Sequence, residues 1–83
     1  VTAAIAGGDN GYNLNHLLSH IAPAIAASPE GADVNAVVRT NASMNAQELQ
    51  NRSAIIRGAV ESGKLKIASA YYHLESGKVE FLD

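Results

Sequence analysis

Apolar positions follow a helical period as far as Val60 and switch to alternation beyond it. Val1-Thr2-Ala3-Ala4-Ile5-Ala6 reads as a short helix ended by Gly7-Gly8, and Asp9-Asn10-Gly11 as a turn cluster. Asn13 is placed to cap a helix whose apolar stripe is Leu14, Leu17, Leu18, Ile21 and Ile25, spaced i, i+3, i+4, i+7, i+11. Pro23 falls inside that stripe and should end or kink the helix near Ala22, because it has no N–H to donate and crowds the preceding turn. After the loop Ser28-Pro29-Glu30-Gly31, Asp33 is expected to cap a longer helix with Val34, Val37, Val38, Ala42 and Leu49 on one face. Asn41 and Asn45 interrupt that face, and amides placed there need partners in a loop or an interface.

The C-terminal segment carries the most specific local pattern. Glu-Ser-Gly-Lys occurs at Glu61–Lys64 and again at Glu75–Lys78, each time ahead of a strand-like run. The first copy should close a helix running from Ala54 to Ser62, capped by Ser53 and carrying Ile55, Ile56, Ala59 and Val60. Gly63 would take the positive-φ position beyond its end. The second copy should form a turn joining Leu74 to Val79. Between them Leu65–Tyr72 reads as a strand. Leu65, Ile67, Ser69 and Tyr71 point one way, and Lys66, Ala68, Ala70 and Tyr72 the other. Ala68 and Ala70 on the second face suggest cover on both sides, as in an α/β layer.

Eighty-three residues allow at most one domain, and its core is thin. Hydrophobic residues make up 47% of the chain, yet many are alanine and only 5% of residues are aromatic. Alanine favours helix but buries little area, so extra apolar surface should be covered by a missing segment, a second subunit, or both. A net charge of −2 lacks the basic footprint of a nucleic-acid binder. The apolar stretch Ile21–Ala27 is far too short to span a membrane. Val1–Gly8 has no basic leader, and a soluble, cytoplasmic location is expected ahead of an exported one. Val1 reads as mid-helix, so the chain looks cut rather than begun.

Residue chemistry alone encodes no active site. With no cysteine, thiolate zinc sites and cysteine nucleophiles are absent together. His16 and His20 lie four apart and could project to one side, but the third histidine, His73, is distant and no glutamate adjoins His16. They are read as polar-face residues without a metal. His73, at a strand end beside Tyr71 and Tyr72, is read as a hydrated edge residue rather than a general acid or base. The two tyrosines are read as packing residues with surface hydroxyls. Ser53, near Asn51 and Arg52, has no base to activate it and is explained by capping. Asn41-Ala42-Ser43 and Asn51-Arg52-Ser53 match the glycosylation sequon within or beside expected helices and are read as chance. Gly7-Gly8-Asp9-Asn10-Gly11 lacks the Lys-Ser/Thr of a phosphate loop. No catalytic, cofactor-binding or metal-binding residue is assigned.

Larger patterns resemble a known family. Ser53-Ala54-Ile55-Ile56, Val60-Glu61-Ser62-Gly63-Lys64-Leu65-Lys66-Ile67, Ala70-Tyr71-Tyr72-His73-Leu74 and Gly77-Lys78-Val79-Glu80-Phe81-Leu82 resemble the closing segment of the β-class carbonic anhydrases. Ser69 stands where that family usually has glycine, and His73 where aspartate is common. Upstream, Leu17–Ala24 resembles the family's helix ending in isoleucine-x-proline-alanine, and Thr40-Asn41-Ala42 the start of its long helix. Val1-Thr2-Ala3-Ala4 resembles the residues just after the zinc-binding Cys-Gly-Ala in these enzymes.

That resemblance implies an α/β fold: helices plus a C-terminal strand-turn-strand, part of a doubly wound sheet, with residues 1–83 as a single partial domain. It implies a parent lyase that hydrates CO2 reversibly to bicarbonate and a proton. Zinc held by two cysteines and a histidine lowers the pKa of bound water, an effect for which carbonic anhydrase is the standard illustration. An aspartate-arginine pair completes that site. None of these groups maps onto this sequence, whose Arg39, Arg52 and Arg57 lack a matching aspartate motif. The chain alone is therefore expected to be inactive and to bind no zinc. It is expected to associate with itself, as a dimer or larger, or with a missing N-terminal half. Two alternatives stand beside this reading. One is a non-catalytic carbonic anhydrase-like interaction or oligomerisation module, and the other a small metal-binding protein using His16 and His20.

Overall fold

A computed structural model describes residues 1–82, with five helices and two strands among them. The chain divides into two units, Val1–Asn41 and residues 42–83. Helix α4, Val34–Arg52, runs through the boundary, and each unit takes its own part of it.

The first unit holds α1 (Thr2–Ala6), α2 (Tyr12–Ser19), α3 (Ala22–Ala27) and the first part of α4. Helix α1 ends at Gly7, whose φ of 72° suits glycine. The next helix begins earlier than the expected cap: Gly11 is its N-cap, and Asn13 lies inside it. Asp9 and Asn15 displace Asn13 from the capping role. The Gly11 N–H donates to Asp9 Oδ1 at 2.9 Å, the Asn10 N–H to Asn15 Oδ1 at 2.8 Å, and Asn15 Nδ2 to Asp9 Oδ1 at 2.9 Å. This closed set fixes the chain's approach to α2.

The break attributed to Pro23 comes earlier than expected. Helix α2 stops at Ser19, the N–H groups of His20 and Ile21 bond back to the Leu17 and Leu18 carbonyls, and α3 starts afresh with Pro23 in its first turn. A first-turn proline needs no donor, so the ring begins a helix here rather than interrupting one. The unit's core is small: Ala24 and Val37 are buried, and Leu18, Ile21, Ile25 and Val38 are half-buried. Asp33 caps α4 as expected, accepting from the Ala36 N–H at 2.8 Å. Val34 and Leu49, expected on the buried face of α4, are exposed, and so is Asn45, while Asn41 is half-buried.

The second unit holds the remainder of α4, α5 (Ala54–Glu61), and strands β1 (Ala70–His73) and β2 (Lys78–Phe81). Ser53 caps α5, its Oγ accepting from the Ile56 N–H at 3.2 Å. The helix closes as the first Glu-Ser-Gly-Lys copy suggests. Gly63, at φ 79°, lets its own N–H reach the Val60 carbonyl and the Lys64 N–H reach that of Ala59, both within 3.1 Å. A Cβ on Gly63 would meet no other atom, so only the backbone resists substitution. Gly63→Ala is expected to destabilise the chain by about 1–2 kcal/mol, read as a lower midpoint of chemical unfolding. Ile55, counted with the apolar face of this helix, is instead 86% exposed, whereas Ile56, Ala59 and Val60 are half-buried.

The hairpin is antiparallel and pairs Ala70 with Phe81, Tyr71 with Glu80, Tyr72 with Val79 and His73 with Lys78. Its turn is Leu74–Gly77, one residue earlier than expected, closed by the Gly77 N–H on the His73 carbonyl at 2.8 Å with Gly77 at φ 70°. The first strand is shorter than the expected Leu65–Tyr72. A strand extends only as far as its ladder partner, and β2 reaches no further back than the Leu82 N–H on the Ser69 carbonyl. No parallel pairing occurs among the described residues, so the sheet here is a hairpin and not a doubly wound layer. The alternation is as expected from Ile67 onward, with Ser69 buried and Ile67, Tyr71 and His73 half-buried on one face, whereas Leu65, expected on that face, is exposed. The second face is not covered: Ala68, Ala70 and Tyr72 are all exposed.

Candidate functional site

The structure brings together some of the residues weighed in the sequence and leaves others apart. The rings of His16 and His20 lie edge to face, centroids 5.1 Å apart, both exposed at the end of α2. His73 belongs to the other unit. Ser53 is engaged in its cap, and Asn51 and Arg52 end α4, where Arg52 Nε bonds Glu48 Oε2 at 2.7 Å. That guanidinium foremost, with the Asn51 side chain, holds the Glu48 carboxyl below the usual glutamate range. These groups complete a helix end and present no nucleophile with its base.

His73 is better anchored than an edge histidine. Its ring stacks on Tyr71 at 4.3 Å with the planes 10° apart, and its Nε2 hydrogen-bonds Glu80 Oε1 at 3.1 Å. Tyr71 and His73 are two apart on one strand and so share a face, and Glu80 lies on that same face, directly opposite Tyr71 and diagonal to His73. Period-two alternation with the correct register would have disclosed this cluster. Tyr71 is half-buried and Tyr72 is 56% exposed.

The Gly7–Gly11 segment is a structural turn. The Gly11 N–H first, and Asn15 after it, hold the Asp9 carboxyl below the ordinary aspartate value of 3.8. A lowered folded pKa stabilises above the ordinary value and loses that effect as pH falls through the folded one. Asp9 is accordingly expected to titrate below 3.8 by carboxyl NMR, and Asn15→Ala to move its midpoint back toward 3.8.

An open cleft of about 350 Å³ in the second unit is lined by Ser43, Gln47, Gln50, Asn51, Arg57 and Glu61, with Ala46 and Ile67. It offers amides and one charge of each sign. Neither a histidine nor a cysteine lines it. Among the described residues no group of three or more His, Cys, Asp or Glu is arranged to hold a metal ion. No helix among them is long and apolar enough to cross a membrane.

Comparison with known proteins shows the family. Residues 1–79 match the carbonic anhydrase family, and the chain belongs to that family, in its β class. No curated protein and no solved structure matches it. The family implies zinc in the parent enzyme. The donors present do not fit a zinc held by two cysteines and a histidine, because the sequence has no cysteine. No catalytic step through zinc can be written on these residues.

Proposed function

We propose that this chain is the C-terminal scaffold portion of a zinc-dependent β-class carbonic anhydrase, and that the 83-residue chain alone is catalytically silent. The parent reaction is CO2 + H2O ⇌ HCO3− + H+. The observation that carries this reading is a family match across residues 1–79 in a sequence without cysteine. In that reading residues 1–83 are one partial domain, β1 is a strand of a doubly wound sheet with β2 as its antiparallel partner, and the remaining strands lie upstream. The exposed Ala70 and the unladdered stretch before it support a missing neighbouring layer and strand. The partners proposed are that upstream half, a second copy of the chain, or both.

A second reading has its own support. The outward face of the hairpin carries Tyr72, Val79 and Phe81, each more than half exposed, which suits a non-catalytic oligomerisation module. Reading the coding sequence upstream of Val1 separates the two. The enzyme reading expects a Gly-His-x-x-Cys-Gly-Ala segment there; a natural start at Val1 would leave the module.

A further inference from the structure

We propose that His16 and His20 form a two-imidazole clamp for a borderline d-block dication, Cu2+ foremost, on the surface of the first unit. The pair is independent of the family's zinc site, which uses cysteines this chain does not have.

Geometry comes first. Metal–imidazole bonds of about 2.0–2.1 Å put the ring centroids of two ligands on one ion about 4.5–5.2 Å apart, for angles between square and tetrahedral. The observed centroid separation is 5.1 Å. Both side chains are exposed, so the rings can turn from their present 85° edge-on contact without disturbing packed neighbours. Histidines four apart on a helix are a recognised metal-binding arrangement because the turn brings both imidazoles to one side.

Electrostatics favours a cation at the same place. The pair sits in the last turn and at the C-cap of α2, where the helix dipole presents its negative end. Between Val1 and Val38 the charged side chains are Asp9, Glu30 and Asp33, and that stretch has no lysine or arginine. Two neutral imidazoles with water completing the shell suit Cu2+ best, with Ni2+ and Zn2+ weaker, by the order of divalent affinities.

The test is titration of the 83-residue chain with Cu2+ alone, read by calorimetry and by electron paramagnetic resonance. One ion per chain with two nitrogen ligands is expected. His16→Asn and His20→Asn should each weaken binding roughly a hundredfold, the low end of what a second tethered ligand adds, and His73→Asn should leave it unchanged. A paired variant, Asn13→His with His16→Asn, keeps the histidine count but sets the two rings about 10 Å apart along the helix, and should bind as weakly as His16→Asn. Wild-type affinity in that paired variant, or in His16→Asn/His20→Asn, would overturn the proposal, as would a wild-type chain that takes up no Cu2+.

Discussion

At micromolar concentration the 83-residue chain is expected to sediment as a dimer or larger species, with its apolar hairpin face covered. Ala24 and Val37 are the buried hydrophobic residues among those described, and no large side chain there is fully buried. Small side chains return little for the conformational entropy of ordering a chain. Meanwhile Tyr72, Val79 and Phe81 stand 56%, 55% and 70% exposed. In an antiparallel pair, facing residues share a side of the sheet. The register sets Ala70 with Phe81 and Tyr72 with Val79, so these four make one apolar patch.

The strand edge points the same way. The Leu82 N–H bond to the Ser69 carbonyl marks that pair as hydrogen-bonded, so the N–H and C=O of Ala70 and Tyr72 turn away from β2. An apolar face beside an open edge is a template for association. Full burial of a large apolar side chain is worth about 1.5–3 kcal/mol, and covering what these residues still expose recovers part of it. Val79→Glu with Phe81→Glu should therefore shift the sedimentation profile toward monomer and lower the unfolding midpoint. A wild-type chain that sediments as one folded monomer, with a single cooperative unfolding transition, would refute this.

The second large effect concerns catalysis. Hydration of CO2 at a zinc site needs an ion with a closed set of protein ligands and one open position for water. In this chain the available imidazoles divide between an exposed pair on α2 and a stacked, Glu80-bound ring in the hairpin. A two-histidine surface clamp lacks the third protein ligand, and water is not excluded from it. Added zinc is therefore expected to leave the rate at the uncatalysed level. Supplying a segment with the missing cysteine and histidine ligands should raise it by several orders of magnitude, the scale on which enzymes act.

Local punctuation is legible in the sequence where one residue settles the backbone. Ser53 and Asp33 cap their helices, and Gly63 closes α5, because each position needs a particular oxygen or a positive φ. The alternation from Ile67 to His73 is legible for the same local reason. Features that depend on a distant partner are not. The length of β1 is set by β2, and the exposure of Ala70 and Ile55 by what packs on them. Pro23 misleads because one residue type can stop a helix or start one. Asn13 loses its cap because Asp9 and Asn15 bond to each other and to the loop amides. As for the site, the lack of cysteine is plain, while the Tyr71–His73–Glu80 cluster needs the strand register.

The most direct measurement is stopped-flow CO2 hydration by this chain with added zinc, run alone and then mixed with a separately produced upstream segment carrying Gly-His-x-x-Cys-Gly-Ala. The uncatalysed rate is expected from the chain alone, and zinc-dependent catalysis from the mixture. Zinc-dependent hydration by the chain alone, or a mixture that reconstitutes nothing although the two parts co-sediment, would contradict the scaffold assignment.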